Sequence, residues 1–247
     1  MERKIIRLSS VDSTNTFIKN LPERERVDGL VVVADKQTAG RGRLGRSFKS
    51  DGQGIYMSTV FKLDCKMDEA LALTSSVAVA VCRAIEKSCG INVGIKWVND
   101  IVYGSRKLCG ILTEAVNVSG ERAECYVIGI GINVNEECFT DDLEDKAVSL
   151  KMILNREVDK EELLSALSDE LEAIETSFIE DKESLYDEYI KRSVMRDKTV
   201  TLSGDKRRAT VVGLDKDYAL IVKYADGEIT KVISGDISVD GIYGMDL

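Results

Sequence analysis

A loop of alternating glycine and arginine, Gly40-Arg41-Gly42-Arg43-Leu44-Gly45, directly follows an apolar run at residues 30–34. This arrangement restricts the fold, because a dinucleotide-binding domain needs a helix to begin inside its G-x-G-x-x-G motif, so that the helix N-terminus meets the pyrophosphate. Here residues 46–54 are too few and too rich in glycine for that helix. A protein-kinase fold is excluded as well, because its catalytic motif begins with histidine and this chain of 247 residues has none.

The same loop carries positive charge in an otherwise acidic chain. Between Lys36 and Lys49 there are five basic residues and no acidic one, whereas the whole chain has 34 Lys+Arg against 43 Asp+Glu. Glycine lets the backbone approach a ligand closely, and arginine forks onto the oxygens of a phosphate or carboxylate. The loop is therefore either an anion-binding loop or a solvated basic loop, and by itself it does not decide between the two.

Composition excludes several kinds of chemistry. Without histidine the chain has no Ser-His-Asp or Cys-His system and no H-E-x-x-H metal site. Its six cysteines form no C-x-x-C pair, which disfavours a zinc site, and we expect Cys82, Cys109 and Cys125 to be buried thiols. An enzyme of this composition must use Lys, Arg, Asp, Glu, amide groups and an oxygen-liganded metal, which suits phosphoryl and adenylyl transfer.

Composition also bears on partners and location. The net charge of -9 argues against a general nucleic-acid binder. No run approaches the roughly 18 apolar residues of a membrane span, and the N-terminal residues lack the apolar stretch of a secretory signal. These features predict a reduced, cytoplasmic protein without a membrane partner.

Apolar runs and turn residues predict an α+β chain. Strands are predicted over residues 4–8, 30–34, 55–61, 94–98, 107–116 and 123–133, and a core helix over residues 67–89. A short helix follows the capping residues Asp12 and Ser13 and ends at Pro22, and residues 160–190 are acidic and helical in pattern. Asn99-Asp100 is interpreted by itself as a turn that closes the strand at residues 94–98.

The character of the chain changes near residue 193. Short β-rich runs follow at residues 199–202, 209–214, 219–224 and 229–233, separated by turn pairs that include Gly204-Asp205 and Gly235-Asp236. Strands of this length and spacing predict a small barrel. We therefore predict two domains, residues 1–193 and residues 194–247.

Further motifs give the chain a family resemblance. They are Lys96-Trp97-Val98-Asn99-Asp100, Arg106-Lys107-Leu108 with Gly110-Ile111-Leu112, and Gly129 through Asn133. Alone, each has an ordinary interpretation, such as a lysine at a strand end or a glycine bulge. Together with Asp12-Ser13-Thr14-Asn15 and Gln37-Thr38-Ala39-Gly40-Arg41-Gly42-Arg43, and in this order, they resemble the motifs of biotin protein ligases over essentially the whole chain.

The resemblance implies a fold and a reaction. The fold is a mixed β-sheet catalytic domain related to class II aminoacyl-tRNA synthetases, followed by a C-terminal SH3-like β-barrel. The reaction joins biotin to ATP, with Mg²⁺, giving biotinyl-5'-AMP and pyrophosphate, and then passes biotin to a lysine of a biotin carboxyl carrier protein domain. Because the first strand begins at about Lys4, we expect the monofunctional type, without an N-terminal DNA-binding domain and without DNA binding; monomer and homodimer both stay open.

The resemblance also implies roles for individual residues. Lys107, Arg43 and Asp100 are the expected catalytic residues, and Asp100 is also a possible metal ligand. Biotin is expected to contact the following residues: Ser13, Thr14, Asn15, Gln37, Gly40, Arg41, Gly42, Arg43, Lys107 and Gly110. ATP and the adenylate are expected to contact the following residues: Arg41, Arg43, Phe48, Lys96, Asn99 and Asn133. The glycine-rich loop is expected to close over the adenylate and keep water from it.

Two positions depart from the family pattern. Val98 stands where proline is usual, and Phe48 where tryptophan is common, which affects rate and affinity more than reaction type.

Two other functions compete with biotin ligation. A lipoate–protein ligase shares the architecture, but the arginine-rich loop and the C-terminal barrel favour biotin. A non-catalytic biotin sensor would not need the charged set formed by Arg41, Arg43, Lys107 and Asp100.

Overall fold

The computed structural model describes residues 4–140, 143–203, 206–233 and 237–243. Within these residues two sheets are formed. The strands of the larger sheet are β1 (Ile5–Leu8), β2 (Val31–Ala34), β3 (Ile55–Phe61), β4 (Gly94–Lys96), β5 (Asp100–Tyr103), β6 (Arg106–Val116) and β7 (Cys125–Ile132). Those of the smaller sheet are β8 (Thr199–Leu202), β9 (Arg208–Leu214), β10 (Leu220–Tyr224), β11 (Ile229–Val232) and β12 (Ile237–Val239). The α-helices are α1 (Thr14–Asn20), α2 (Ala70–Cys89), α3 (Leu150–Leu154), α4 (Lys160–Glu180) and α5 (Lys182–Arg192).

The larger sheet is mixed and has helices on both faces. Its strand order is β1-β2-β3-β7-β6-β5-β4, with β1 and β2 parallel and the other neighbours antiparallel. Helices α2 and α4 share a core with one face, to which Val31 and Ile128 contribute. Helix α1 packs on the opposite face, where Ile18 meets Val32 and Val127.

Side-chain alternation along β7 decides which face can hold a site. Successive residues of a strand point to opposite faces, so Gly129 and Gly131 share the face of Val127 and look away from the α2–α4 core. Helix α1 reaches this face because Ser13 caps it, with the Ser13 hydroxyl accepting a hydrogen bond from the backbone N–H of Thr16. The sheet thus offers a surface without side chains beside the N-terminus of α1.

The smaller sheet is antiparallel and packs onto the end of the larger one. Its order is β11-β10-β9-β8-β12. Trp97 and Val98 are buried in the same apolar cluster as Val211 and Leu220 of this sheet. The Trp97 indole N–H donates to the backbone carbonyl of Tyr218 at 2.7 Å. The chain segment after β4 is therefore part of the core that joins the two sheets.

The predicted fold class, a domain with a mixed β-sheet followed by an SH3-like C-terminal domain, is confirmed. The boundary near residue 193 stays a prediction; α5 ends at Arg192 and β8 begins at Thr199. The predicted turns at Gly204-Asp205 and Gly235-Asp236 lie outside the described residues.

Several elements differ from the prediction. The strand predicted over residues 94–98 ends at Lys96, and Asp100 begins β5 instead of closing a turn. The helical pattern at residues 160–190 is divided at Asp181, whose carboxylate caps α5 by accepting from the backbone N–H of Ser184. Strand β12 and helix α3 were not predicted, because three to five residues are too few for a periodic pattern.

Buried cysteine thiols were expected from the composition. Cys82, Cys109 and Cys125 are buried as predicted, and burial raises the pKa of the Cys109 thiol well above its usual value. Across the described ranges, no helix combines the length and the apolar character needed to cross a membrane.

Candidate active site

A cleft of about 920 Å³, its open mouth included, lies over β6 and β7 on the face that α1 covers in part. The predicted site residues that line it are Ser13, Thr14, Asn15, Gln37, Arg41, Gly42, Arg43, Phe48, Lys96, Asn99, Asp100, Lys107 and Gly110. They come from segments far apart in sequence, and the fold brings them to one place. Two predicted residues, Gly40 and Asn133, are not among the lining residues described.

Glycines form the floor of the cleft. A Cβ atom added at Gly131 would lie 2.7 Å from Cε1 of Phe48, and one added at Gly110 would lie 3.0 Å from Nζ of Lys107. A Cβ at Gly129 would lie 2.3 Å from Oδ1 of Asn15. Carbon atoms in contact are usually about 3.5–4.0 Å apart, so larger residues at these positions would displace the side chains above them. Glycine is needed here for close approach.

One end of the cleft is lined by hydroxyl and amide groups. The Ser58 hydroxyl lies 2.5 Å from Asn15 Oδ1 and 2.6 Å from the Thr14 hydroxyl. Gln37 Oε1 accepts from the backbone N–H of Thr14 at 2.9 Å. Asn15 Nδ2 donates to Glu114 Oε2 at 2.9 Å, so Glu114 sets the orientation of the Asn15 amide. This end can bind a neutral polar group through fixed donors and acceptors.

Charge is concentrated at the other end. Lys107 Nζ forms an ion pair with Asp100 Oδ1 at 2.6 Å, and the Tyr243 hydroxyl donates to Asp100 Oδ2 at 2.7 Å. Burial alone would raise the pKa of Asp100, but the charges of Lys107 and Lys96 outweigh it and hold this pKa below its usual value. Asp100 is therefore ionised at neutral pH, between two lysines.

The loop arginines reach the cleft from its rim. Arg43 Nη1 donates to Asn99 Oδ1 at 2.9 Å, and Asn99 Nδ2 in turn donates to the backbone carbonyl of Ile111 at 2.7 Å. Arg41 Nη1 lies 3.8 Å from Glu114 Oε1. Arg43 thus lies near the charged end of the cleft and Arg41 near the polar end. Both guanidinium groups can contact an anion bound between them.

Gly40 and Asn133 support the site from outside the cleft. A Cβ at Gly40 would lie 2.4 Å from the backbone oxygen of Phe48, so Gly40 lets the loop fold back on itself. The Asn133 amide nitrogen lies 3.3 Å from the carbonyl of Lys107 and 3.2 Å from that of Val148. Asn133 therefore holds the backbone of the Lys107 strand in place.

Other residues of the site were not predicted from the sequence. Ser58 is a hydroxyl residue in a fully buried strand, and that contrast was a usable signal. Glu114 lies in β6 two residues after the Gly110-Ile111-Leu112 motif, and its charge in an apolar strand was a second signal. Ile237 lines the cleft from β12, and Tyr243 contacts Asp100 from the segment after β12; neither gave a signal, because nothing local in sequence marks them as site residues.

Comparison with known proteins shows which family this chain resembles. Residues 8–133 match the biotin/lipoate A/B protein ligase family, and residues 199–240 match the biotin protein ligase C-terminal domain. The chain is 33% identical over 246 residues to the Bacillus spizizenii bifunctional ligase/repressor BirA, a match that covers 97% of this chain and 75% of that protein. It is 30% identical over 152 residues to the biotin–[acetyl-CoA-carboxylase] ligase of Mycobacterium tuberculosis, covering 60% of this chain and 54% of that one.

Solved structures add a similarity of the whole fold. The biotin protein ligase of Aquifex aeolicus, in complex with biotin and ATP, superposes with a TM-score of 0.85 at 27% identity, covering 97% of this chain and 99% of that one. A cleft with lysines, arginines and a glycine floor on this fold is that of a carboxylate-activating ligase. The chain belongs to the biotin/lipoate A/B protein ligase family. Within that family, its C-terminal match and its relatives place it among the biotin protein ligases.

Proposed function

We propose that this chain builds biotinyl-5'-AMP in the cleft described above and passes biotin from it to a lysine of a carrier protein domain. The observation that carries the proposal is the pair formed by Lys107 and Asp100, which are 2.6 Å apart beneath the Arg41–Arg43 loop. The relatives named for biotin ligation and the Aquifex aeolicus complex with biotin and ATP support these substrates.

The first half-reaction brings two anions together. A carboxylate oxygen of biotin forms a bond to the α-phosphorus of ATP, and the bond from that phosphorus to the bridging oxygen of pyrophosphate breaks. Fixed cations must offset the repulsion, and Lys107, Arg41 and Arg43, which line the cleft, are our candidates for that role. A placed charged donor of this kind lowers the barrier by roughly 2.7–4 kcal/mol in comparable sites.

The second half-reaction needs a proton acceptor. The Nζ atom of the carrier lysine forms an amide bond with the acyl carbon, AMP leaves, and the amine loses a proton. Asp100 is ionised and lies in the cleft, so it is our candidate for receiving that proton. The name of the Mycobacterium tuberculosis relative supports a carrier domain of a biotin-dependent carboxylase as the acceptor.

The two ends of the cleft suit the two ends of the adenylate. Ser13, Thr14, Asn15 and Gln37 would bond the polar ureido ring of biotin. Gly110 would allow close approach of the biotin tail, and Gly42 lines the cleft beside it. Lys96, Asn99 and Phe48 would face the nucleotide. Gly40 and Asn133 would act indirectly, Gly40 by shaping the loop and Asn133 by holding the strand of Lys107.

Mg²⁺ is proposed to enter with ATP. Among the described residues no three His, Cys, Asp or Glu side chains cluster to hold a metal, and Asp100 is the one carboxylate in the described lining. Both of its oxygens already have partners, Lys107 and Tyr243. Mg²⁺ commonly keeps several waters and binds substrate phosphates, so it would be held here chiefly by ATP and water, and Asp100 could bind it only by giving up one of these two partners.

The test is exchange of labelled pyrophosphate into ATP in the presence of Mg²⁺, with biotin, with lipoate and with neither. We expect exchange with biotin alone, because the first half-reaction is reversible and releases pyrophosphate. Exchange that requires lipoate would show instead that the chain is a lipoate–protein ligase. Biotin binding without exchange would contradict a catalytic role and favour a sensor.

A further inference from the structure

The C-terminal domain contributes a side chain to the charged end of the cleft. Tyr243 lies 143 residues from Asp100 in sequence, yet its hydroxyl donates to Asp100 Oδ2 at 2.7 Å. Lys96 Nζ stands 4.6 Å from the centre of the same ring, within the range of a cation–π contact. Burial and the nearby Asp100 carboxylate raise the pKa of Tyr243 well above its usual value, so the hydroxyl keeps its proton and can donate.

The backbone of Tyr243 is also fixed against the catalytic sheet. Its N–H donates to the carbonyl of Ser105 in the turn between β5 and β6, at 2.8 Å. Its φ angle is +68°, in the left-handed region that bulky residues rarely adopt. Such a conformation persists only where surrounding contacts over-determine it, and it is found preferentially at functional sites.

We infer that Tyr243 is a positioning residue for the Lys107–Asp100 pair. Through Tyr243, the C-terminal domain fixes the orientation of Asp100, and Asp100 in turn fixes the position of the Lys107 ammonium group. The inference rests on the proposed function, because it concerns the rate of that reaction. Tyr243 does not lie among the residues that line the cleft, so it acts through Asp100 and touches no substrate.

Geometry explains how the effect reaches Lys107. The hydroxyl occupies Oδ2 of Asp100, which leaves Oδ1 directed at Lys107 Nζ, 2.6 Å away. A carboxylate held by one donor on each oxygen cannot turn about its Cβ–Cγ bond without losing both. Without the Tyr243 hydroxyl, Asp100 can turn towards Lys96, the other lysine whose charge acts on it. Lys107 would then lose its fixed position over the floor at Gly110.

The experiment compares Tyr243→Phe with the wild type in biotin-dependent pyrophosphate exchange. Phenylalanine keeps the ring and its contact with Lys96 and removes only the hydroxyl. We expect kcat to fall about tenfold, the size expected for losing a hydrogen bond to a charged group, with the KM for biotin and the melting temperature close to wild type. The matched control is Tyr103→Phe on β5, three residues from Asp100 and 41% exposed, which we expect to leave kcat unchanged.

A double-mutant cycle separates positioning from a general structural effect. In an Asp100→Asn background, we expect Tyr243→Phe to cause little further loss of kcat, because the two residues act as a unit. Equal losses in both backgrounds, or wild-type kcat for Tyr243→Phe, would overturn the inference while leaving the proposed function intact. Absence of biotin-dependent exchange in the wild type would instead reject the proposed function, and the inference with it.

Discussion

Replacing Gly129 with alanine is expected to damage the polar end of the cleft. The new Cβ atom would lie 2.3 Å from Asn15 Oδ1 and 3.0 Å from Asn15 Cγ. Because non-bonded heavy atoms pack at about 3.5–4.0 Å, Asn15 would have to move by roughly 1 Å. The main chain of β7 cannot yield easily, since β7 is paired on both sides, with β3 and with β6.

The loss in the free energy of unfolding depends on the hydrogen bonds that hold Asn15 in place. Its amide nitrogen donates to Glu114 at 2.9 Å and to the Leu112 carbonyl at 3.3 Å, and its oxygen lies 2.5 Å from the Ser58 hydroxyl. Overpacking a well-filled site usually costs about 1–3 kcal/mol. Replacing glycine by alanine gains about 0.4–1 kcal/mol through the unfolded chain where the native backbone tolerates it. Subtracting a gain of about 0.7 kcal/mol from an overpacking cost of about 2 kcal/mol leaves an expected net loss of about 1.3 kcal/mol in the free energy of unfolding.

Two measurements check this prediction. Urea denaturation gives the free energy of unfolding, and calorimetric titration gives the dissociation constant for biotin, which we expect to rise at least about tenfold, or 1.4 kcal/mol. The matched control is Gly213→Ala on β9, where an added Cβ meets no atom within 4 Å. Wild-type stability and biotin affinity in Gly129→Ala would refute the reasoning. Adding Asn15→Ser should restore the stability of Gly129→Ala but leave biotin affinity low.

Three further predictions concern charge and the loop. Lys107→Ala should remove biotin-dependent pyrophosphate exchange, a loss of about 10²–10³ in rate, while circular dichroism shows an intact fold; wild-type turnover would contradict the role of Lys107. Arg43→Gly should let the adenylate leave the cleft, which is detected as biotinylation of non-cognate lysines, and an unchanged range of acceptors would count against the loop as a lid. Burial and the nearby Asp51 raise the pKa of the Glu136 carboxyl, whose Oε2 atom is buried without a hydrogen-bond partner. A carboxyl group whose pKa is higher in the folded protein than in the unfolded one stabilises the fold fully only at a pH below its unfolded-state pKa. This contribution to the free energy of unfolding is lost as the pH rises through the folded-state pKa. Glu136→Gln should therefore raise the melting temperature at pH 7 and have little effect near pH 4, and the reverse dependence on pH would exclude a raised pKa.

Much of the fold was predictable because its signals are local. Strand β3 was predicted at its observed bounds, Ile55–Phe61, since its apolar run ends in polar residues. Helix α2 has apolar residues at helical spacing and ends at Gly90, which takes a φ of +69° that glycine adopts easily. Strand β5 was missed because Asn99-Asp100 is typical of a turn, and only its pairing with β4 and β6 makes Asp100 part of a strand.

The sequence by itself determined the family, the class of reaction and the segments that form the cleft, since the motifs occur in a specific order and the lack of histidine excludes other chemistries. Only the tertiary structure decided which polar groups meet. Asn133, although part of a motif, bonds the main chain behind the cleft, whereas Tyr243 contacts Asp100 from the segment that follows β12 of the smaller sheet. The physical reason is that a hydrogen bond between residues 143 apart depends on how the two sheets pack around Trp97, and local sequence carries no record of that packing.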